Sequence, residues 1–429
     1  MLNAPLVSRR QALKLGATAF FAAAGPHAAR AAAERDKRLI VVVLRGALDG
    51  LAMAAPAGDP NHQSARGELA LIAERDGGFP LDGTFLLHPA MSNLARLYRE
   101  RQALLVHAVA TPYRERSHFD GQNVLENGLA GVDWDSSGWL NRVVATVSGT
   151  APEPDGFLQR LVDLVVSTFS EPRPHWPLGL ATGQRMPLIM RGSAPVVSWS
   201  PLEFPAAPPD TRARLIDIYR RAAPELADAL ERGLMVERAT GGGEQYRATL
   251  RNFDGSPEFR RVRATVASAA RLLKLADGPR IGVLDLNGFD THVEQDITGG
   301  QIGDLLTLLD LVIGDLAYEL VAEWRDTVAV FITEFGRTVR VNGNAGTDHG
   351  TATLALVVGG GVNGGRVLAD WPGLAAAAQY EGRDLRPTMD LRAVLKGVLQ
   401  AQFDIPRPVL DSVIFPGSAD VHPAPALLI

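Results

Sequence analysis

The chain has 429 residues, of which 46% are hydrophobic and 21% charged, with a net charge of −5. That is ample apolar material for a large core, and it gives no basic footprint for nucleic acid or an anionic membrane. There is no cysteine, which excludes disulfides, thiolate zinc sites, cysteine nucleophiles and iron–sulfur clusters.

The first segment reads as a leader. Ser8 to Lys14 (SRRQALK) precedes the small-residue apolar run GATAFFAAAG and an alanine-rich stretch with a cleavage site near Ala31–Ala33. A charged start, a short apolar run and an Ala-x-Ala site make a secretory signal peptide. The Arg9–Arg10 pair marks it as twin-arginine type, although Ala12 stands where the usual pattern has Phe. The run is shorter than the ~20 residues a bilayer span needs. The expectation is a 1–33 signal peptide, export of the folded chain through the twin-arginine machinery, and a periplasmic or extracellular protein with no span after cleavage.

Residues 34–429 are expected to form a single domain. Lys37–Leu44 (KRLIVVVL), Ala103–Val109 (ALLVHAV), Arg280–Leu286 (RIGVLDL), Asp326–Thr333 (DTVAVFIT) and Thr353–Val358 (TLALVV) are short, β-branched apolar runs, as buried parallel strands should be. Helical spacing appears over Met91–Arg101, Gly303–Trp324 and Asp390–Gln402. Residues 150–210 are proline-rich and aperiodic. Helical patterns over Asp210–Thr240 and Glu258–Ala276 follow, broken at Gly241–Gly243. An irregular and helical insertion is therefore predicted over about 150–278. Alternating strands and helices predict a parallel sheet with helices on both faces.

Ligands bind beyond the carboxyl ends of the strands in such sheets, and polar clusters sit there. Asp49 follows the first strand, Arg116-Ser117-His118-Phe119-Asp120 the second, and Asp290 and His292 the RIGVLDL strand. Glu334 and Arg337 follow DTVAVFIT, and Thr347-Asp348-His349-Gly350 precedes TLALVV. Carboxylates with imidazoles suit a divalent ion such as zinc or manganese, with calcium as an alternative. One histidine alone is more often a structural hydrogen-bonder; several such loops at strand ends point to a shared site. Ser117, with Asp120 three residues on, also fits a helix N-cap. Gly359-Gly360-Gly361-Val362-Asn363-Gly364 matches a dinucleotide fingerprint in letters only, since Pro372 and no helix follows.

The tracts LRGALDGL, RSHFDGQNVLENG, LNGFDTHVEQ, ITEFGRT and GTDHGTATLALVVGGGVNGG resemble a bacterial family, domain of unknown function 1501. That family is twin-arginine-exported and similar to the alkaline-phosphatase and sulfatase superfamily. The resemblance implies an alkaline-phosphatase-like α/β core and a metal-dependent hydrolase of phosphate, sulfate or related esters. Its substrate would be a small-molecule or polymer-borne anionic ester. It implies Asp49, Asp290, His292, Glu334 and His349 as metal ligands and Ser117 as nucleophile. His118 would be a general acid or base or a further ligand, and Arg45, Arg116 and Arg337 would hold the anionic ester. Glu334-Phe335 stands where the superfamily has Asp-His, and Asp49 lies several residues beyond its strand. Both departures keep open an alternative, a non-catalytic periplasmic or surface binding and assembly protein on the same fold.

Overall fold

The computed structural model describes residues 37–149, 176–183, 185–200 and 207–429. The leader expected at 1–33, and the part of the expected insertion at 150–175, lie outside the described residues. Nine strands form the main sheet. They are β1 (Arg38–Leu44), β2 (Ala103–Ala110), β3 (Gly179–Thr182), β4 (Val196–Trp199), β5 (Ile281–Leu286), β6 (Thr327–Ile332), β7 (Thr353–Val358), β8 (Arg366–Leu368) and β9 (Met389–Asp390). Their order is β8-β2-β7-β6-β1-β5-β3-β4, with β9 beside β2.

β1 shows why the apolar runs become central strands. All seven of its residues are buried, because successive side chains point to opposite faces and both faces are covered. Ile40, Val42 and Leu44 pack into one core with Leu94, Leu272, Leu309 and Ile313. Leu39, Val41 and Val43 pack into the other with Trp139, Leu140, Val143, Val394 and Leu399. The first face carries α1 (Ser92–Arg99), and the second carries α3 (Trp139–Val147), which follows α2 (His118–Asn127). Among the described residues of the expected insertion, four helices follow: α4 (Pro209–Ala222), α5 (Pro224–Thr240), α6 (Gly242–Arg251) and α7 (Pro257–Lys274). α7 and α8 (Gln301–Glu319) pack on the α1 face, and α9 (Leu391–Phe403) on the α3 face.

The predicted sandwich of helices about a largely parallel sheet is present, with two differences. First, β7 runs antiparallel to both neighbours, β6 and β2. Parallel neighbours need a crossover, usually a helix. Residues 333–352 hold no helix, so the chain turns back at the edge it has just reached. Second, β3 and β4, inside the stretch expected to be irregular or helical, extend the sheet beyond β5. Each has only four residues, too few for a period to stand out among prolines.

Among the described residues, no helix is long and apolar enough to cross a membrane. Two buried histidines away from the sheet edge make an acid-sensitive element. Burial pushes His107 down to about 4, and burial with the nearby Arg66 charge does the same to His62. A histidine with a depressed folded value is stabilising above its unfolded value. That contribution is lost as pH falls from about 6.5 toward 4. Urea unfolding at about pH 7 and about pH 5 is expected to differ by roughly 2 kcal/mol per histidine, about 4 for the two. His107→Gln is expected to flatten the difference.

Candidate metal centre

The reversal of β7 builds the site. β1, β2, β5 and β6 end at one edge, and β7 begins there. His349, four residues ahead of Thr353, therefore arrives beside the loops that carry His118, Asp290 and His292. Backbone hydrogen bonds sew these loops together. Phe289 N–H donates to Arg45 O at 3.1 Å, Thr347 N–H to Thr291 O at 3.1 Å and Gln295 N–H to Ala345 O at 2.9 Å. Gly46 allows one such close approach. Its φ is +109°, and a Cβ there would lie 2.6 Å from the Asp290 nitrogen.

His118, Asp290 and His349 each offer a ligand atom, all within 4.8 Å of one another, and could hold a metal ion. His349 Nε2 is the hub. It lies 2.9 Å from His118 Nε2, 3.0 Å from His292 Nε2 and 3.1 Å from Asp290 Oδ1. Asp290 Oδ1 is also 2.9 Å from His292 Nε2, and its Oδ2 is 3.3 Å from His118 Nε2.

What stands behind each ring decides its tautomer. His349 Nδ1 lies 2.9 Å from the Arg116 carbonyl, which can only accept, so Nδ1 carries the proton. His118 Nδ1 lies 2.9 Å from Glu334 Oε1. Burial raises the Glu334 carboxyl, but hydrogen bonds from His118, Gln122 and the Gly46 N–H outweigh it, and the group sits below its usual value. The carboxylate is thus an acceptor, and His118 also donates from Nδ1. His292 Nδ1 faces Asp348 Oδ1 at 3.4 Å. His118 and His349 are left with Nε2 lone pairs facing one another, while His292 Nε2, 2.9 Å from Asp290 Oδ1, can donate to that carboxylate. The facing pair repels itself unless a cation, a metal ion or a proton, lies between them. The oxygen behind each ring is the arrangement that orients histidine ligands. A proton on His118, whose value is raised chiefly by its Glu334 hydrogen bond against burial, relieves the 118–349 contact only. The single in-plane lone pair of His349 cannot also accept from His292.

The other expected site residues stand one step back. Asp49 is buried. Its carboxylate takes Arg66 Nη2 at 2.5 Å and Gln295 Nε2 at 2.6 Å, and caps the one-turn helix Gly50–Met53 through the Leu51 and Ala52 N–H groups. Glu334 is fully buried and takes Gly46 N–H, Gln122 Nε2 and His118 on one oxygen, with Thr333 Oγ1 on the other. Both carboxylates expected as ligands are thus saturated by protein donors, because they sit at the loop roots rather than the tips. The three arginines expected to meet substrate are engaged as well. Arg45 pairs with Asp285 and Glu126, Arg116 with Glu381 and Asp384, and Arg337 with Asp290 at 2.6 Å. Ser117 occupies the N-cap position of α2 without a side-chain cap hydrogen bond, so the capping role open to it in sequence is not taken up.

Sequence reasoning missed Gln122 and Asp384, gave no role to Asp348, and noted Phe335 only as a departure from the pattern the resemblance implies. Phe335 lies beneath the site, its ring 5.0 Å from that of His118 and 5.2 Å from that of His349. It gives the cluster an apolar floor. Gln122 had a usable signal, since it falls one helical turn after His118.

A family model described as protein of unknown function (DUF1501) matches residues 106–414, well over half of the chain. The chain belongs to the DUF1501 family. No curated protein matches this DUF1501 chain in sequence. Among solved structures, it is similar to a Bacteroides thetaiotaomicron protein of glycosaminoglycan metabolism at 8% identity and TM-score 0.36, covering 90% of this chain and 75% of that one. It is similar to the zinc complex of the C-terminal periplasmic domain of EcEptC from Escherichia coli at 9% identity and TM-score 0.31, covering 75% and 73%. It is also similar to the phosphonate monoester hydrolase of Agrobacterium radiobacter at 12% identity and TM-score 0.26, covering 77% and 70%. Superpositions this loose transfer neither ligand set nor substrate to the DUF1501 chain, whose site rests on its own residues.

Proposed function

We propose that this edge of the sheet binds one divalent metal ion and hydrolyses an anionic ester of phosphate, sulfate or a related acid. The observation that supports the reading is the convergence of three imidazole Nε2 atoms on Asp290, each ring with an oxygen behind it. His118, Asp290 and His349 would hold the ion, with His292 at its margin. Two or three imidazoles with one carboxylate suit zinc or manganese better than calcium, which takes six to eight oxygens. Once bound, the ion supplies Lewis acidity toward an ester oxygen and eases deprotonation of a hydroxyl.

The chain's own residues do the rest. Ser117, at the start of α2 and next to His118, keeps its hydroxyl out of the helix cap and is the nucleophile of this reading. Glu334 fixes the His118 ring through Nδ1, and Arg337 holds the Asp290 carboxylate in its ionised form. The expected leader would deliver the folded, loaded protein to the periplasm or beyond. The engaged state of Arg45, Arg116 and Arg337 supports a second reading, a metal-bearing binding or assembly protein without turnover, since none of these guanidinia is left free for an anion.

Elemental analysis of protein purified without chelator, followed by a panel of phospho- and sulfo-esters, separates the readings. About one equivalent of zinc or manganese is expected. Turnover should be lost on chelation, restored by the ion, and lost in Ser117→Ala with the metal retained. Metal without turnover would favour the binding protein. A metal-free protein would sink the hydrolase and leave a binding or assembly protein without the ion.

A further inference from the structure

His349 is the hub of the cluster, and what fixes its ring lies in two places far apart in the chain. Arg116 adopts φ +61°, a left-handed conformation rare for a side-chain-bearing residue. That conformation turns its carbonyl onto His349 Nδ1 at 2.9 Å. Its guanidinium does not reach toward the cluster. It runs the other way, donating to Asp384 Oδ2 at 2.8 Å and to the exposed Glu381 at 2.6 Å. Asp384 is fully buried and also accepts from Thr351 Oγ1 at 2.8 Å, two residues past His349. The neighbouring Arg383 donates to the His349 carbonyl at 2.8 Å and lies 3.3 Å from Asp384. The ring nitrogen and the backbone of His349 are thus both tied to the segment around one buried carboxylate.

We propose that Arg116 and Asp384 form a positioning pair that holds His349 in its Nδ1–H tautomer with Nε2 bare toward the cluster. This rests on the metal reading above and reassigns Arg116 from substrate binding to the support of a ligand. The strained backbone is the working part: the Asp384 pair anchors the side chain of a residue whose carbonyl must stay in an unfavourable orientation. Neither residue touches the cluster atoms, so the effect passes through the ring they orient.

The test needs two readouts. In metal-free wild-type protein labelled with 15N-histidine, above the imidazole titration range, His349 is expected to show a protonated Nδ1 and a bare Nε2. Zinc affinity, by competition with a chromogenic chelator, is expected to fall roughly ten- to a hundredfold in Asp384→Asn and in Arg116→Ala. In both variants the His349 signals should mix tautomers. Glu381→Gln, which removes only the solvent-screened partner, should change affinity less than about threefold. Arg116→Ala keeps the strain without the anchor and remains informative if Asp384→Asn fails to fold, whereas Arg116→Gly, which accepts φ +61° without strain, is expected to lose less affinity than Arg116→Ala. A protonated Nε2 in the wild type would overturn the proposal, as would folded variants of wild-type affinity. If the wild type binds no zinc, the proposed function fails, while the wild-type tautomer still decides the positioning claim.

Discussion

His349→Ala is expected to abolish stable metal loading while His292→Ala only weakens it. His349 Nε2 lies within 3.1 Å of His118, His292 and Asp290. His292 stands outside the trio whose ligand atoms all lie within 4.8 Å. If roughly 12 kcal/mol of zinc binding is shared among four ligands, one ligand contributes about 3 kcal/mol, roughly a hundredfold in affinity. Loss of the hub should exceed that, because His118 and Asp290 then have no shared partner. A loss of tenfold or less is expected for His292→Ala. The same substitution carries a second, opposite signature. In chelator the wild type keeps the facing His118 and His349 lone pairs beside a carboxylate with no ion among them. Removing His349 relieves that repulsion, so metal-free His349→Ala is expected to melt no lower than metal-free wild type, the usual signature of a site kept for function rather than stability. A variant that melts several degrees lower without metal would mark His349 as a structural hydrogen-bonder. Equal metal loss in the two variants would place the ion between His292 and His349 instead.

Much of the site was legible because its residues sit in short polar loops at the ends of apolar runs, and edge placement follows from the alternation of strands and helices. His118, Asp290 and His292 could be placed at one edge on that ground. The assumption of a wholly parallel sheet would, however, have put His349 at the far edge, since it precedes its strand. The reversal of β7 brings it back, and the only trace of the reversal in sequence is the missing helix between Ile332 and Thr353. What the sequence could not convey was rank. Asp49 and Glu334 are carboxylates in strand-end loops like those of the histidines, and nothing in their spacing distinguishes a ligand from the group behind it. The distinction comes from partners distant in the chain. Arg66 and Gln295 saturate Asp49; Gly46 and Gln122 saturate Glu334. The arginines follow the same logic. A guanidinium near a strand end reads as an anion holder until Asp285, Glu126, Asp384 and Asp290 are seen to claim it.

Asp49 allows that rank to be tested by stability. Asp49 and Arg66 form an ion pair at 2.5 Å with side-chain exposures of 1% and 0%. Asp49→Ala leaves the Arg66 guanidinium in the interior with only the Thr338 and Val339 carbonyls. Breaking one side of a buried pair costs about 3–5 kcal/mol. The lost cap of the Gly50–Met53 turn adds about 1 kcal/mol. A large drop in the urea midpoint is therefore expected. Replacing the whole pair, as in Asp49→Leu with Arg66→Met, removes both charges and should recover most of the stability, since apolar substitutes for buried ion pairs are often neutral or better. The double variant is the discriminating protein. As a support, Asp49 acts on the cluster only through Gln295, which accepts from Thr291 and Thr347 beside Asp290 and His349. The recovered protein should then bind zinc within about tenfold of wild type, in the range of an outlying contact. As a ligand, its loss would remove the ion from a protein that is otherwise stable. A stable double variant without metal would therefore return Asp49 to the coordination sphere and require Arg66 to give way when the ion binds.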